Sequence, residues 1–266
     1  MMHLVPMPDV QKSTRARRRF FHGVLGSAAF ILLSGASPPT PTVGDSFRLS
    51  DAIGTIICRG RGGPFLTNAS LVERRDLVLA VSHFNFNRKS GRELPADGCT
   101  FTMRDDEGAI IFRSKFSVID RGGRGPELSD SMALDWALLR LERPATGTPL
   151  QLGTMASLHE EKVDLVSYRP AMRGNRILRT SHDCGPRRQR AGSIILLHSC
   201  PTRPGLSGAP LLTQWPGGYR IVGIHAKRSK GFGIAVGLEG SVRKAISMNA
   251  LQAKVSLGLP PRFGSQ

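Results

Sequence analysis

Short apolar runs, cut apart by glycine-rich or charged turns, set the hydrophobic pattern of this chain. In the first half they fall at residues 53–58, 77–81, 100–104, 109–112, 114–119 and 136–141. In the second half they fall at 163–167, 175–180, 193–199, 209–213, 219–225 and 233–237. Their length and their turn boundaries predict β-strands. Residues 144–149 close the first group of strands, and 150–158 cross to the second. Residues 121–126 (Arg-Gly-Gly-Arg-Gly-Pro) read as a loop with a mobile tip, and 258–266 as a frayed tail. No internal repeat or phosphate-binding loop stands out. A folded unit of about 200 residues is ample for one substantial core.

The N-terminus has a different character. Arg15-Ala16-Arg17-Arg18-Arg19 precedes Phe20-Phe21 and an apolar stretch to Leu33, followed by the small residues Ser34-Gly35-Ala36. A basic region, a short apolar region and a small-residue cleavage site predict a secretory signal peptide over 1–36. The apolar region is shorter than the roughly 20 residues that span a bilayer, so no stable membrane span is expected after cleavage. The arginines also fit a twin-arginine export signal, and the choice between the two routes stays open. Either route predicts an exported protein, periplasmic or extracellular.

Three segments carry chemistry, in the order His, Asp, Ser. Leu77-Val78-Leu79-Ala80-Val81-Ser82-His83 is an apolar run that stops at a histidine. Leu134-Asp135-Trp136-Ala137-Leu138-Leu139-Arg140-Leu141 leads from an aspartate into an apolar strand. Pro204-Gly205-Leu206-Ser207-Gly208-Ala209-Pro210 sets a serine in a glycine-rich turn. Taken singly, each residue could be an ordinary strand-end or turn residue. Together they supply a nucleophile, its general base and an orienting carboxylate. Ser207 is the candidate nucleophile, His83 the general base and acid, and Asp135 the carboxylate. The N–H groups of Gly205 and Ser207 are the candidate oxyanion hole, a donor set worth about 3–4 kcal/mol per donor. Glycine at 205 is expected because a side chain there would obstruct the turn and the substrate.

These segments resemble the trypsin/chymotrypsin-like serine proteases, whose patterns are close to T-A-A-H, D-I-A-L-L-R-L and G-D-S-G-G-P. The likeness runs from about Ile53 to Ile246. It implies an all-β fold of two antiparallel Greek-key barrels with the triad between them, and a closing helix at 239–250. The protease domain would cover 51–250, with barrels at about 51–149 and 159–240. Residues 37–50 would be a linker and 251–266 a tail. Leu206 stands where the trypsin group has the aspartate that pairs with a freshly cut N-terminal amine, so activation of that kind is not expected. It also leaves room for an oxyanion loop that is not formed at rest. Within the family the closer resemblance is to the bacterial glutamyl endopeptidases (V8-like). There a threonine five residues before the nucleophile and a histidine in a G-I-H strand bind an acidic side chain. Thr202 and His225, in Gly223-Ile224-His225, match those positions. A hydroxyl donor and an imidazole able to carry positive charge suit a carboxylate, and Lys227 and Arg228 add positive potential. His225 could equally be a satisfied structural histidine. Pro201 occupies the position of the trypsin specificity aspartate, so cleavage after Lys or Arg is not expected.

Four cysteines allow three pairings. The two-barrel arrangement favours Cys58–Cys99 around the His83 segment and Cys184–Cys200 ahead of Ser207. His159, His182 and His198 receive no role. The His-x-Cys spacings at 182–184 and 198–200 do not form a standard zinc pattern, so no metal and no cofactor are expected. The formal charge is +17, from 37 Lys and Arg against 20 Asp and Glu. Residues 1–36 hold five of the basic residues and one of the acidic ones, which leaves +13 beyond them. That charge is dispersed, and aromatic residues are only 6% of the chain, so no specific nucleic-acid partner is expected. The expected partner is a protein or peptide substrate, and the oligomeric state stays open. Two function classes follow: an exported serine endopeptidase that forms an acyl-enzyme, with Glu preferred before the cut, or a protease-like domain that binds peptides or a surface without cleaving them.

Overall fold

The computed structural model describes residues 47–256 apart from short internal segments at 61–62, 87–91, 94, 124–131, 155–161, 171–174, 189–192 and 230. The signal segment, the tip of the 121–126 loop and the tail at 258–266 lie outside the described residues. Seven strands form one antiparallel sheet: β1 (Ile53–Gly60), β2 (Gly63–Leu71), β3 (Leu77–Ala80), β4 (Cys99–Arg104), β5 (Ile110–Ser114), β6 (Phe116–Arg121) and β7 (Ala137–Leu141). Their order is β5-β4-β1-β2-β3-β7-β6. A two-residue strand, β8 (Gln151–Leu152), then joins the second sheet by pairing in parallel with β14 (Gly218–Ser229). The remaining strands of that sheet are β9 (Val163–Pro170), β10 (Arg176–Cys184), β11 (Pro186–Arg188), β12 (Ile195–His198), β13 (Pro210–Trp215) and β15 (Phe232–Gly237). They run in the order β10-β9-β13-β14-β15-β12-β11, again antiparallel. The helix Gly240–Ser256 follows.

Alternating side chains explain the layering. On β3, Leu77 and Leu79 enter a buried cluster shared by both sheets, while Val78 and Ala80 enter the core of the first sheet. On β7, Leu138 joins the shared cluster, whereas Ala137, Leu139 and Leu141 join the first core. A strand covered on both faces is mostly apolar, which accounts for the run at Leu77–Ala80 and, apart from Arg140, at Ala137–Leu141. The second sheet divides its side chains in the same way. Leu165, Leu211 and Val222 fill its own core, and Val166, Leu212 and Ile221 face the first sheet. Val242, Ala245 and Ile246 of the helix pack on the shared cluster, and Arg140 of β7 donates a hydrogen bond to Asn249 (3.2 Å).

The structure adds β2, the two-residue β8 within the crossing and β11, which the hydrophobic pattern did not predict, and continues β14 to Ser229. β2 escaped because Thr67, Asn68 and Ser70 make its centre polar although all three are buried. Disulfides join Cys58 to Cys99 and Cys184 to Cys200, leaving no free cysteine. The second bond closes a loop across 16 positions, for which cross-linking contributes about 3 kcal/mol in the chain-entropy model. Replacing both Cys184 and Cys200 by Ser should lower unfolding stability by about that amount, read from urea unfolding beside the oxidised parent.

Candidate active site

Strand register brings the first two candidate residues together. Ala80 at the end of β3 lies opposite Ala137 at the start of β7. His83 follows Ala80 in a 3-10 turn (Ser82–Asn85), and Asp135 precedes Ala137 after another (Met132–Leu134). Asp135 is buried, and both of its oxygens face the histidine. Oδ1 accepts the His83 backbone N–H at 3.0 Å, and Oδ2 lies 2.7 Å from His83 Nδ1. A carboxylate only accepts, so Nδ1 carries the hydrogen toward Oδ2, which leaves Nε2 as the lone-pair nitrogen whenever the ring is neutral. Ser82 holds the same turn by donating to the Gly123 carbonyl at 2.6 Å.

Ser207 comes from the second sheet. Gly208 N–H donates to the His225 carbonyl (2.7 Å) and His225 N–H to the Ala209 carbonyl (2.8 Å), so the Ser207 turn extends the pairing of β13 with β14. Ser207, Gly205 and His83 line one cleft of about 200 Å³, together with Ile56, Leu66, Thr67 and Phe84. The Ser207 hydroxyl donates to the Ala226 carbonyl at 3.4 Å, and among the described residues it makes no hydrogen bond to His83. Neither the Gly205 nor the Ser207 N–H is taken by another group among those residues. The backbone conformation of the turn favours glycine at 205. A Cβ there would meet nothing within 4 Å, but φ is +90°, a conformation that other residues rarely adopt. Leu206 is buried in the second core beside Cys184 and Cys200.

His225 is buried on β14, and the structure places His198 of β12 against it, Nε2 to Nδ1 at 3.0 Å. Sequence reasoning gave His198 no role, although a signal was present. Gly233 sits opposite His198 on β15, and any Cβ there would come within 2.1 Å of the imidazole. A glycine inside a strand often marks such a close approach. Burial pushes His198 down to about 4. Burial, then the neighbouring His198 and His83, push His225 down to about 3. Burial thus favours the neutral, hydrogen-bonding form of the His225 ring. Thr202 is half-buried on the loop leading to Ser207, and no side-chain hydrogen bond joins it to His225 among the described residues. Lys227 and Arg228 are exposed beyond Ala226. The described residues contain no cluster of His, Cys, Asp and Glu able to hold a metal.

Two antiparallel sheets with an oriented His–Asp pair on one and a serine turn on the other define the architecture of a trypsin-like peptidase. The family model for the trypsin-like peptidase domain matches residues 54–224, more than half of the sequence, and the chain belongs to that family. No curated protein matches. Among solved structures, the thermostable serine protease AL20 from an extremophilic microorganism is 15% identical. Its match covers 78% of this chain and 98% of that one, with a TM-score of 0.57. A Glu endopeptidase solved in complex with MPD is 14% identical over 80% of this chain and 96% of its own, with a TM-score of 0.62. At those identities the likeness is one of fold.

The depressed histidines make stability depend on pH with a definite sign. Unfolded histidines take up protons near pH 6.5, whereas His198 and His225 in the folded protein do so only near 4 and 3. Stability should therefore fall as pH drops from about 6.5 toward 4. His198→Gln removes one titrating ring while leaving a hydrogen-bonding side chain for His225. The slope of unfolding free energy against pH in that window should decrease by up to about 1.4 kcal/mol per pH unit, measured by urea titration at several pH values. An unchanged slope would mean that His198 does not contribute.

Proposed function

We propose that this protein is an exported serine endopeptidase that uses Ser207, His83 and Asp135 through an acyl-enzyme. The observation that carries the reading is the two-point hold of Asp135 on His83 beside a cleft whose other wall carries Ser207. In the reaction the Ser207 hydroxyl turns from the Ala226 carbonyl toward His83 Nε2. As Oγ bonds to the substrate carbonyl carbon, its proton passes to Nε2, and the developing oxyanion takes hydrogen bonds from Gly205 and Ser207 N–H. The C–N bond then breaks as His83 returns the proton to the leaving amine. A water, deprotonated by His83, hydrolyses the ester and frees Ser207.

For the residue before the cut we propose glutamate. The position of Thr202, the His225 ring with His198 behind it, and the positive potential of Lys227 and Arg228 support this preference. Because His225 is neutral in the free protein, it would recognise the carboxylate by donating a hydrogen bond. Export by way of residues 1–36 fits the two disulfides, which form in oxidising compartments. No helix among the described residues is long and apolar enough to cross a membrane. One observation favours the second reading, a protease-like binding domain: Ser207 donates to Ala226 instead of pairing with His83.

The secreted protein and its Ser207→Ala form should be incubated with a mixed peptide library and the cuts mapped by mass spectrometry. Ser207-dependent cleavage after Glu is expected, whereas Ser207-dependent cuts elsewhere would retain the triad and remove the acidic pocket. Absence of cleavage, together with no labelling by a serine-directed phosphonate, would establish the binding-domain reading. Asp135→Asn should lower kcat by about 10⁴-fold with the fold intact, because it leaves the wrong tautomer on His83.

A further inference from the structure

Asn68 lies at the centre of β2 with no exposed surface, a costly place for an amide unless its polar atoms are paired. They are paired with the opposite sheet. Nδ2 donates to the Gly205 carbonyl at 3.0 Å, and Oδ1 accepts the Tyr168 N–H of β9 at 2.8 Å. Both partners are backbone groups of fixed polarity, so the orientation of the amide is forced. The Asn68 N–H also donates to the Ser207 carbonyl at 2.8 Å, and the Thr67 hydroxyl donates to that same oxygen at 2.6 Å. At Gly208, where φ is +77°, a Cβ would come within 1.9 Å of the Asn68 carbonyl oxygen. First-sheet backbone and nucleophile turn are thus in direct contact.

Gly205 has no side chain and no atom near where a Cβ would sit, so hydrogen bonds rather than packing must hold it. Its carbonyl belongs to the Gly205–Leu206 peptide, which lies between the two free N–H groups of the turn. Asn68 holds that peptide from one side, and the buried Leu206 side chain anchors it from the other. We propose that Asn68 is the positioning residue of the nucleophile turn: its amide and its backbone N–H hold the Gly205 and Ser207 carbonyls so that the N–H groups of Gly205 and Ser207 stay turned into the cleft. The inference rests on the reading of Ser207 as nucleophile and adds the element that keeps its oxyanion donors in place without a chain-terminal amine.

The test is Asn68→Asp, which keeps the shape and the acceptor for Tyr168 but puts a second carboxylate oxygen against the Gly205 carbonyl. Asn68→Ala serves as its companion. Both are assayed on the best substrate from the peptide library, with folded fraction and Tm measured alongside. In whichever variant folds, kcat should fall about 10²–10³-fold, the scale of a lost oxyanion donor, with KM changed less than threefold. Binding of a peptide boronate, whose adduct with Ser207 resembles the tetrahedral intermediate, should weaken in parallel with kcat/KM. A folded variant with kcat within twofold of the parent overturns the proposal, as does a kcat loss with unaltered boronate affinity. Should neither fold, Asn68→Ser removes the side-chain hold on the Gly205 carbonyl while keeping a small polar residue in β2 and the backbone N–H on the Ser207 carbonyl. A kcat loss of threefold or more at constant KM then supports the proposal, and an unchanged kcat overturns it. Ser207→Ala distinguishes the two levels: if it cleaves normally, the nucleophile reading fails, whereas if it is inactive beside a fully active Asn68→Asp, only the positioning role falls.

Discussion

Between Leu77 and Ala80, and again between Ala137 and Leu141, side chains on one face fill the first core while those on the other pack against the second sheet. Leu77–Ala80 is buried on both faces and Ala137–Leu141 everywhere but at the half-buried Arg140, so a shift of register by one residue would exchange the two sets of side chains between cores of different shape. That constraint fixes Ala80 opposite Ala137, and with them the positions of His83 and Asp135 just beyond the strand ends. The chemistry then needs only local turns: one presents the imidazole, and the other buries the carboxylate beneath it. The Asp135 carboxylate is satisfied by two N–H groups of one residue, which lets a buried charge sit beside an open cleft.

The second sheet obeys the same logic with a different outcome. Its turn before β13 carries the serine, and its apolar anchor is Leu206, packed beside Cys184 and Cys200. Burying a leucine contributes roughly 1.5–3 kcal/mol, and unlike an ion pair it requires no proteolytic event to supply a partner. The same sheet brings His198 and His225 together through β15, the strand between β12 and β14, with Gly233 supplying the space.

Legibility in the sequence tracked how each residue meets its physical requirement. The His83 and Asp135 segments were readable because two-sided burial writes continuous apolar runs, and Ser207 because tight turns require small residues. β2 was not readable: Thr67, Asn68 and Ser70 look like a loop until partners from other strands make their burial tolerable. His198 failed in the same way, since its partner is 27 positions away and adjacent only after three strands have paired. For His225 the residue type gives only the ordinary titration range, whereas burial beside His198 pushes it down, and that burial is not written in the local sequence. Local requirements were visible, and those met by distant groups were not.

The hydrogen bonds that run from Thr67 and Asn68 to the serine turn have a consequence for the life of the molecule. A proteolytic enzyme is at every moment in the presence of its own chain, above all while that chain is still emerging and folding. In the endopeptidase proposed here the two halves of the site are joined by contacts across the seam, so a molecule with only one half folded, or with the halves parted, would lack the assembled site. Competence arrives together with compactness, and the state most easily digested is the one least able to digest.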